Sequence, residues 1–278
     1  MKFKFKSVIA AAVLSVAATS ANAAITGGGN SELVFSAWDS VAGVGYTFDL
    51  DWTKALNDMV GIDQTTANNA TLTANAKVSA SMIDANGVIY DGALTGLPFT
   101  NAANVQWNLG AFDSGSGRTR LLMTQGDSGL TFASTNDQVK TAATLFGSYA
   151  PASNGFILSA ADDTYAVTSN TNGIAYAGNF GTGWNGNTVD TTNVLGGSSN
   201  MYLLAPTTLS ASAAQAINMQ LLSFDGNAIV ARTYMDENDV WRLNISSVAA
   251  VPEAETNAMM LAGLGLIGFI ARRRRKAF

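Results

Sequence analysis

No cysteine and no histidine occurs anywhere in this 278-residue chain. Without thiolate or imidazole there is no disulfide framework, no zinc or copper site built on those ligands, and no Ser-His-Asp triad or Cys-His pair. Proline is scarce, at four residues, and charged side chains make up 13% of the chain, so the long charged residues that coat exposed helices are in short supply. Of the 15 Lys and Arg, three fall within residues 1–23 and five within 272–276. The segment 24–250 keeps 7 basic residues against 18 acidic ones, a formal charge of −11. A body of that sign does not hold a phosphate backbone, which argues against nucleic acid as a partner. Burial rather than cross-linking has to stabilise it, and roughly 227 residues suffice for a sizeable core.

What is present begins with a secretory pattern. Lys2, Lys4 and Lys6 form a basic start, Val8 to Ala18 a short apolar core, and Ala21-Asn22-Ala23 a small-residue exit. Ala21 and Ala23 occupy the two positions that signal peptidase reads, which predicts a signal helix over residues 1–23 and cleavage before Ala24. The apolar core is too short to act as a permanent anchor.

Residues 24–250 read as one β-rich exported domain. Tyr46, Phe48 and Leu50 alternate with Thr47 and Asp49; Val78, Ala80 and Met82 with Ser79 and Ser81; Val105, Trp107 and Leu109 with Gln106 and Asn108. Trp241, Leu243 and Ile245 alternate with Val240, Arg242 and Asn244. A period of two over such lengths is the half-buried strand signal. Asn86-Gly87 and Asp225-Gly226-Asn227 supply hairpin turns between apolar runs. One short helix is predicted from about Asn136 to Gly147, with Val139, Ala142, Ala143 and Phe146 on one face, Asn136 as cap and Gly147 as stop. Asp63–Ala76 and Asn170–Asn200, rich in Thr, Asn, Gly and Ser, read as long loops. The expected fold is all-β: a single β-sandwich or jelly-roll-like domain with long loops and one short helix.

The C-terminal segment 251–278 has a different character. Val251-Pro252-Glu253-Ala254 precedes an apolar run over 258–271, and Arg272-Arg273-Arg274-Arg275-Lys276 follows it. Positive residues remain cytoplasmic, so this order predicts a membrane helix with the body outside. Fourteen helical residues span about 21 Å, short of a hydrocarbon core of about 30 Å, which suits a temporary stop. The pattern of Val251, Pro252 and Glu253, the run Ala258 to Gly268 and the Arg cluster resembles the PEP-CTERM sorting signal, over about residues 251–276. That resemblance implies recognition by an exosortase, removal of the tail near Pro252-Glu253, and delivery beyond the inner membrane of a Gram-negative bacterium that makes exopolysaccharide and biofilm matrix. Ala254 stands where the eponymous motif has its second proline.

The body offers carboxylates and aromatic rings for chemistry. Asp49 and Asp51 share one face of a strand and Asp162-Asp163 are adjacent, but a glycosidase needs two carboxyl groups about 5 to 9.5 Å apart across a cleft, which spacing along the chain does not establish. Calcium is the one cofactor left open. Asp236 and Asp239, in Asp236-Glu237-Asn238-Asp239, and the stretch Asp84-Ala85-Asn86-Gly87 gather oxygen ligands without completing an EF-hand loop. Trp184, in a Gly- and Asn-rich stretch, is the candidate platform for a sugar ring, while Trp38, Trp52, Trp107 and Trp241 read as core. Three functions follow in order of preference: a non-enzymatic surface or matrix protein in contact with exopolysaccharide, a carbohydrate-binding module, and a carboxylate-dependent glycoside hydrolase. The expected partners are signal peptidase, exosortase and, through the tail, the inner membrane.

Overall fold

The computed structural model describes residues 24–25, 31–50, 56–61, 76–115, 118–125, 135–158, 164–181, 193–206 and 217–247. The predicted signal helix and membrane helix lie outside them, as do Asp51, Trp52, Asp162, Asp163 and Trp184. Thirteen strands run through the described residues: β1 Val34–Asp39, β2 Val44–Asp49, β3 Val88–Ala93, β4 Val105–Gly115, β5 Arg118–Thr124, β6 Tyr165–Ser169 and β7 Asn193–Val194. They continue with β8 Ser198–Pro206, β9 Ile217–Leu221, β10 Ser223–Phe224, β11 Asn227–Ala228, β12 Val230–Met235 and β13 Trp241–Ser246. Helices accompany them, among them α1 Leu56–Val60, α2 Asn136–Ser153 and a short helical segment over 177–181.

The fold is all-β, as the alternating runs predict. Eleven strands form one curled antiparallel sheet in the order β3-β13-β12-β8-β5-β4-β1-β2-β6, with β7 beside β4 and β9 beside β8. The curl turns on β8. Ser198 to Asn200 pair with β12, while Met201 to Leu204 pair with β5 and Tyr202 to Pro206 with β9. One strand thus belongs to two limbs: an outer limb of β3, β13 and β12, and an inner limb running from β5 to β6.

The limbs share one apolar cluster, which makes the arrangement sandwich-like. Phe35, Ala37, Tyr46, Phe48, Trp107, Leu109, Leu122 and Leu203 of the inner limb meet Ala231, Leu243 and Ile245 of the outer limb. Alternation then sends Val34, Trp38, Phe112, Leu121, Met123 and Leu204 to the opposite face of the inner limb, where a second cluster forms with α2 and with Tyr176, Ala177 and Phe180. The inner limb is therefore covered on both faces. Aromatic stacking fills each cluster, with Phe35 on Trp107 at 5.5 Å between centroids in the first and Tyr149 on Phe180 at 4.4 Å in the second. Gly45 allows close approach on the helix side, since a Cβ there would sit 2.7 Å from Thr168 Oγ1 and 3.0 Å from the Ala177 backbone nitrogen.

Besides the loop expected over Asn170–Asn200, which holds the 3-10 turn Gly173–Ala175, a helix over 177–181, β7 and the start of β8, three local expectations need correction. The helix face of Val139, Ala142, Ala143 and Phe146 is buried as predicted, but α2 begins one residue after a Thr135 cap and runs past Gly147 to Ser153. Thr135 wins the cap because it completes a box with Gln138, each side chain accepting from the other's backbone N–H. Gly147 does not stop the helix. Pro151 lies one turn later, where its ring crowds the carbonyl four residues back and offers it no N–H. The chain ends the helix instead at Ser153, whose hydroxyl donates to the Tyr149 and Ala150 carbonyls, 2.9 Å each. The third correction concerns Val78, Ala80 and Met82. Ala80–Met82 is a 3-10 turn, with Val78 and Met82 buried by curvature rather than by pleating. The Asp225-Gly226 turn is a hairpin as expected: both residues have positive φ, 47° and 82°, the pair of left-handed positions that a two-residue loop between β10 and β11 requires.

Candidate functional site

The outer limb leaves one face bare. Cross-strand partners in an antiparallel sheet share a face, and here Arg232 lies opposite Asn244, Tyr234 opposite Arg242, and Asn244 opposite Asp91. Asp91 is the centre of this group. It accepts from Arg242 Nη2 at 2.9 Å, from Arg242 Nε at 3.1 Å, from Tyr234 Oη at 3.2 Å and from Asn244 Nδ2 at 3.3 Å. The hydrogen bond to Asp91 pushes the Arg242 guanidinium pKa up, and burial followed by the nearby Asp91 charge does the same to the Tyr234 hydroxyl, against hydrogen bonding from Arg242. Arg232 lies over the Tyr234 ring at 4.6 Å, and its Nε has no hydrogen-bond partner. The result is a hydrogen-bonded, mixed-charge surface with an aromatic ring in it.

The acidic turns have structural work of their own. Asp236 Oδ1 accepts from the Asn238 and Val240 amides at 2.9 and 3.0 Å, and Asp236 Oδ2 lies 3.9 Å from Arg242 Nη1. Asp239 holds a positive φ of 58° in the same turn between β12 and β13. Asp84 Oδ1 likewise accepts from Asn86 and Val88. Among the described residues, no group of three or more acidic side chains is placed to hold a metal ion. Asp49 is buried in β2 on the face that carries Thr47. Trp38 and Trp107 are core, as expected, and Trp241 packs against the core from its edge.

Two buried polar groups hold the inner limb. Arg120 Nη2 donates to Asp113 Oδ2 at 2.9 Å and also to Asn57 of α1, with both charged side chains almost fully buried. Tyr149, on α2, shares hydrogen bonds with the hydroxyls of Ser36, at 3.1 Å, and Thr47. Burial pushes the Tyr149 phenol up to about 12, while those two hydrogen bonds pull it down.

The N-terminal end of the body has a defined seat. Ala24 is exposed, and Ile25, 2% exposed, joins the cluster under α2. Its N–H donates to Asn154 Oδ1 at 2.9 Å, and its carbonyl accepts from Asn154 Nδ2 at 3.1 Å. Of the residues named in advance for processing, Ala24 is described; Ala21 and Ala23 are not. Sequence reasoning missed Asp91, Arg232, Tyr234, Arg242 and Asn244 as a group. The available signal was the alternate spacing of Arg232 with Tyr234 and of Arg242 with Asn244.

No described helix is long and apolar enough to cross a membrane, and the sorting residues Val251, Pro252, Glu253 and Arg272 to Arg275 lie outside the described region. Comparison with curated proteins and with solved structures finds no match to the chain. Residues 250–276 match the family model of the PEP-CTERM protein-sorting motif, and the match runs through Ala254. The chain thus carries a PEP-CTERM sorting signal, which marks it as an exported protein whose C-terminus is held at the membrane before an exosortase processes it.

Proposed function

We propose that the body is a non-enzymatic surface or matrix protein, exported through the signal at residues 1–23, that meets exopolysaccharide once the tail is removed. The sorting motif over residues 250–276 supports the export and processing in this reading. Support comes also from the composition, since a body without Cys or His lacks the commonest nucleophile and metal constellations. The test is an intact-mass measurement on the surface fraction of cells that contain the exosortase. The mature chain is expected to begin at Ala24 and end near Pro252-Glu253. A mature species retaining Arg272 to Arg275 overturns the processing.

The bare face of the outer limb favours a second reading, a carbohydrate-binding module. Planar guanidinium, amide and phenol groups arranged on a sheet face match the hydroxyls and ring faces of a polysaccharide. A glycan array on the mature chain separates the readings. Retention lost in Tyr234→Ala identifies this face, and loss in Trp184→Ala places binding at the Gly- and Asn-rich stretch instead. The glycosidase reading gains nothing from Asp49, whose carboxyl is buried in the inner limb.

A further inference from the structure

We infer that Ile25 and Asn154 form a latch that, once the body has folded, withholds the bond before Ala24 from signal peptidase, so that the signal is cut before this end of the body closes. The inference rests on the export reading above and extends it to the order of events. The scissile bond lies one residue outside a residue that the folded body holds by its side chain and by both backbone polar groups. Ile25 is buried in the cluster under α2, and one Asn154 amide satisfies its N–H and its carbonyl at 2.9 and 3.1 Å. A peptidase takes its substrate as extended chain on both sides of the bond, so Ile25 has to be out of its seat for cleavage. In a folded chain the rate therefore follows the small population in which this end has opened.

Cleavage also changes what the seat receives. Asn154 is the C-terminal cap of α2, a helix with Asp137 in its first turn and no basic residue in its last. Cutting before Ala24 creates an α-ammonium one residue from the amide that Asn154 holds. That places positive charge beside the carbonyl end of a helix that lacks its own cation, the sign that a helix C-terminus favours. An uncut chain carries a neutral peptide bond at that point, and its apolar Val8–Ala18 stretch draws the same residue toward the bilayer. Removal of the signal both frees the end and supplies the charge. The product is held in the seat more firmly than the precursor.

The experiment presents the full chain, synthesised in vitro, to signal peptidase in detergent micelles, either during synthesis or after an hour of folding. N-termini are read by mass spectrometry. During synthesis, cleavage before Ala24 is expected to go to completion; after folding it is expected to be at least about tenfold slower, because opening limits it. Asn154→Asp keeps an acceptor for the Ile25 amide and loses the donor to its carbonyl, so the folded chain should be cut about fivefold faster, and Asn154→Ala faster again. Circular dichroism checks that each variant is folded; should Asn154→Ala fail, Asn154→Asp decides alone. A folded wild-type chain cut as fast as the nascent one, or folded variants no faster than wild type, overturns the latch while leaving the signal intact. Cleavage at a different bond in both regimes, or none, overturns the signal reading and the latch with it.

Discussion

In β1 every residue from Val34 to Asp39 is buried, whereas in β12 burial alternates strictly from Ala231 through Thr233, with Arg232 and Tyr234 turned outward. Both strands belong to one sheet, yet they obey different rules, because the inner limb has the outer limb on one side and α2 on the other. A polar residue on the inner limb cannot turn to water. Ser36 and Thr47 meet the Tyr149 hydroxyl, and Arg120 meets Asp113 and Asn57. On the outer limb the same chemistry is assembled in the open, as the Asp91–Arg242–Tyr234 group, where water competes for every bond. Identical hydrogen bonds should therefore have very different weights in the two places.

The largest break is expected at Arg120. Arg120→Ala leaves the Asp113 carboxyl in a buried site without its main cation and should cost about 3 to 5 kcal/mol of stability, read from the urea midpoint of the mature chain. A loss below about 1 kcal/mol would make the two limbs equivalent. Next comes Tyr149→Phe, which removes one hydroxyl and strands those of Ser36 and Thr47 under α2. A cost of about 1 to 3 kcal/mol is expected in the same measurement. The same residue makes stability depend on alkaline pH. A phenol whose folded pKa is raised from 10 to about 12 favours its protonated form in the native state, so its contribution is complete below pH 10 and is lost as pH rises toward 12. Denaturation midpoints measured from pH 9 to 12 should fall in the wild type and fall less in Tyr149→Phe. The smallest effect belongs to the outer limb. Asp91→Ala removes the centre of the exposed group, with side-chain exposures of 29% for Arg242 and 39% for Asp91, and should change stability by less than about 1 kcal/mol. A larger loss would show that this face is a structural element rather than a surface left available.

The same contrast explains what could be read from the sequence. Strands at Tyr46–Asp49, Val105–Leu109 and Trp241–Ile245 were visible because their large apolar residues alternate, and the Asp225-Gly226 turn because its residues suit left-handed backbone. Alternation cannot reveal that the second face is covered as well. Ser36, Thr47 and Asn108 look like solvent-facing residues until α2 and Phe180 are in place. The helix was recognised by its buried stripe, but its ends were decided by reciprocal bonds at Thr135 and Gln138 and by Ser153, which local residue preference does not rank. Ala80 to Met82 spelled a strand and formed a 3-10 turn, because Met82 reaches the core from a tight bend. The outer-face group was illegible for a different reason: Asp91 is 151 residues from Arg242, and only the pairing of β3 with β13 brings them together. The sorting tail, by contrast, is a linear signal, which is why it could be read whole.

The end of β13 fixes one more dimension. Ser247 is tied back to the Asp84–Gly87 turn, its amide donating to the Gly87 carbonyl at 2.8 Å. From there to Glu253 the chain has six residues, a leash of at most about 20 Å. On the processing proposed above, at Pro252-Glu253, the Gly87–Ser247 corner of the outer limb comes within that length of the enzyme.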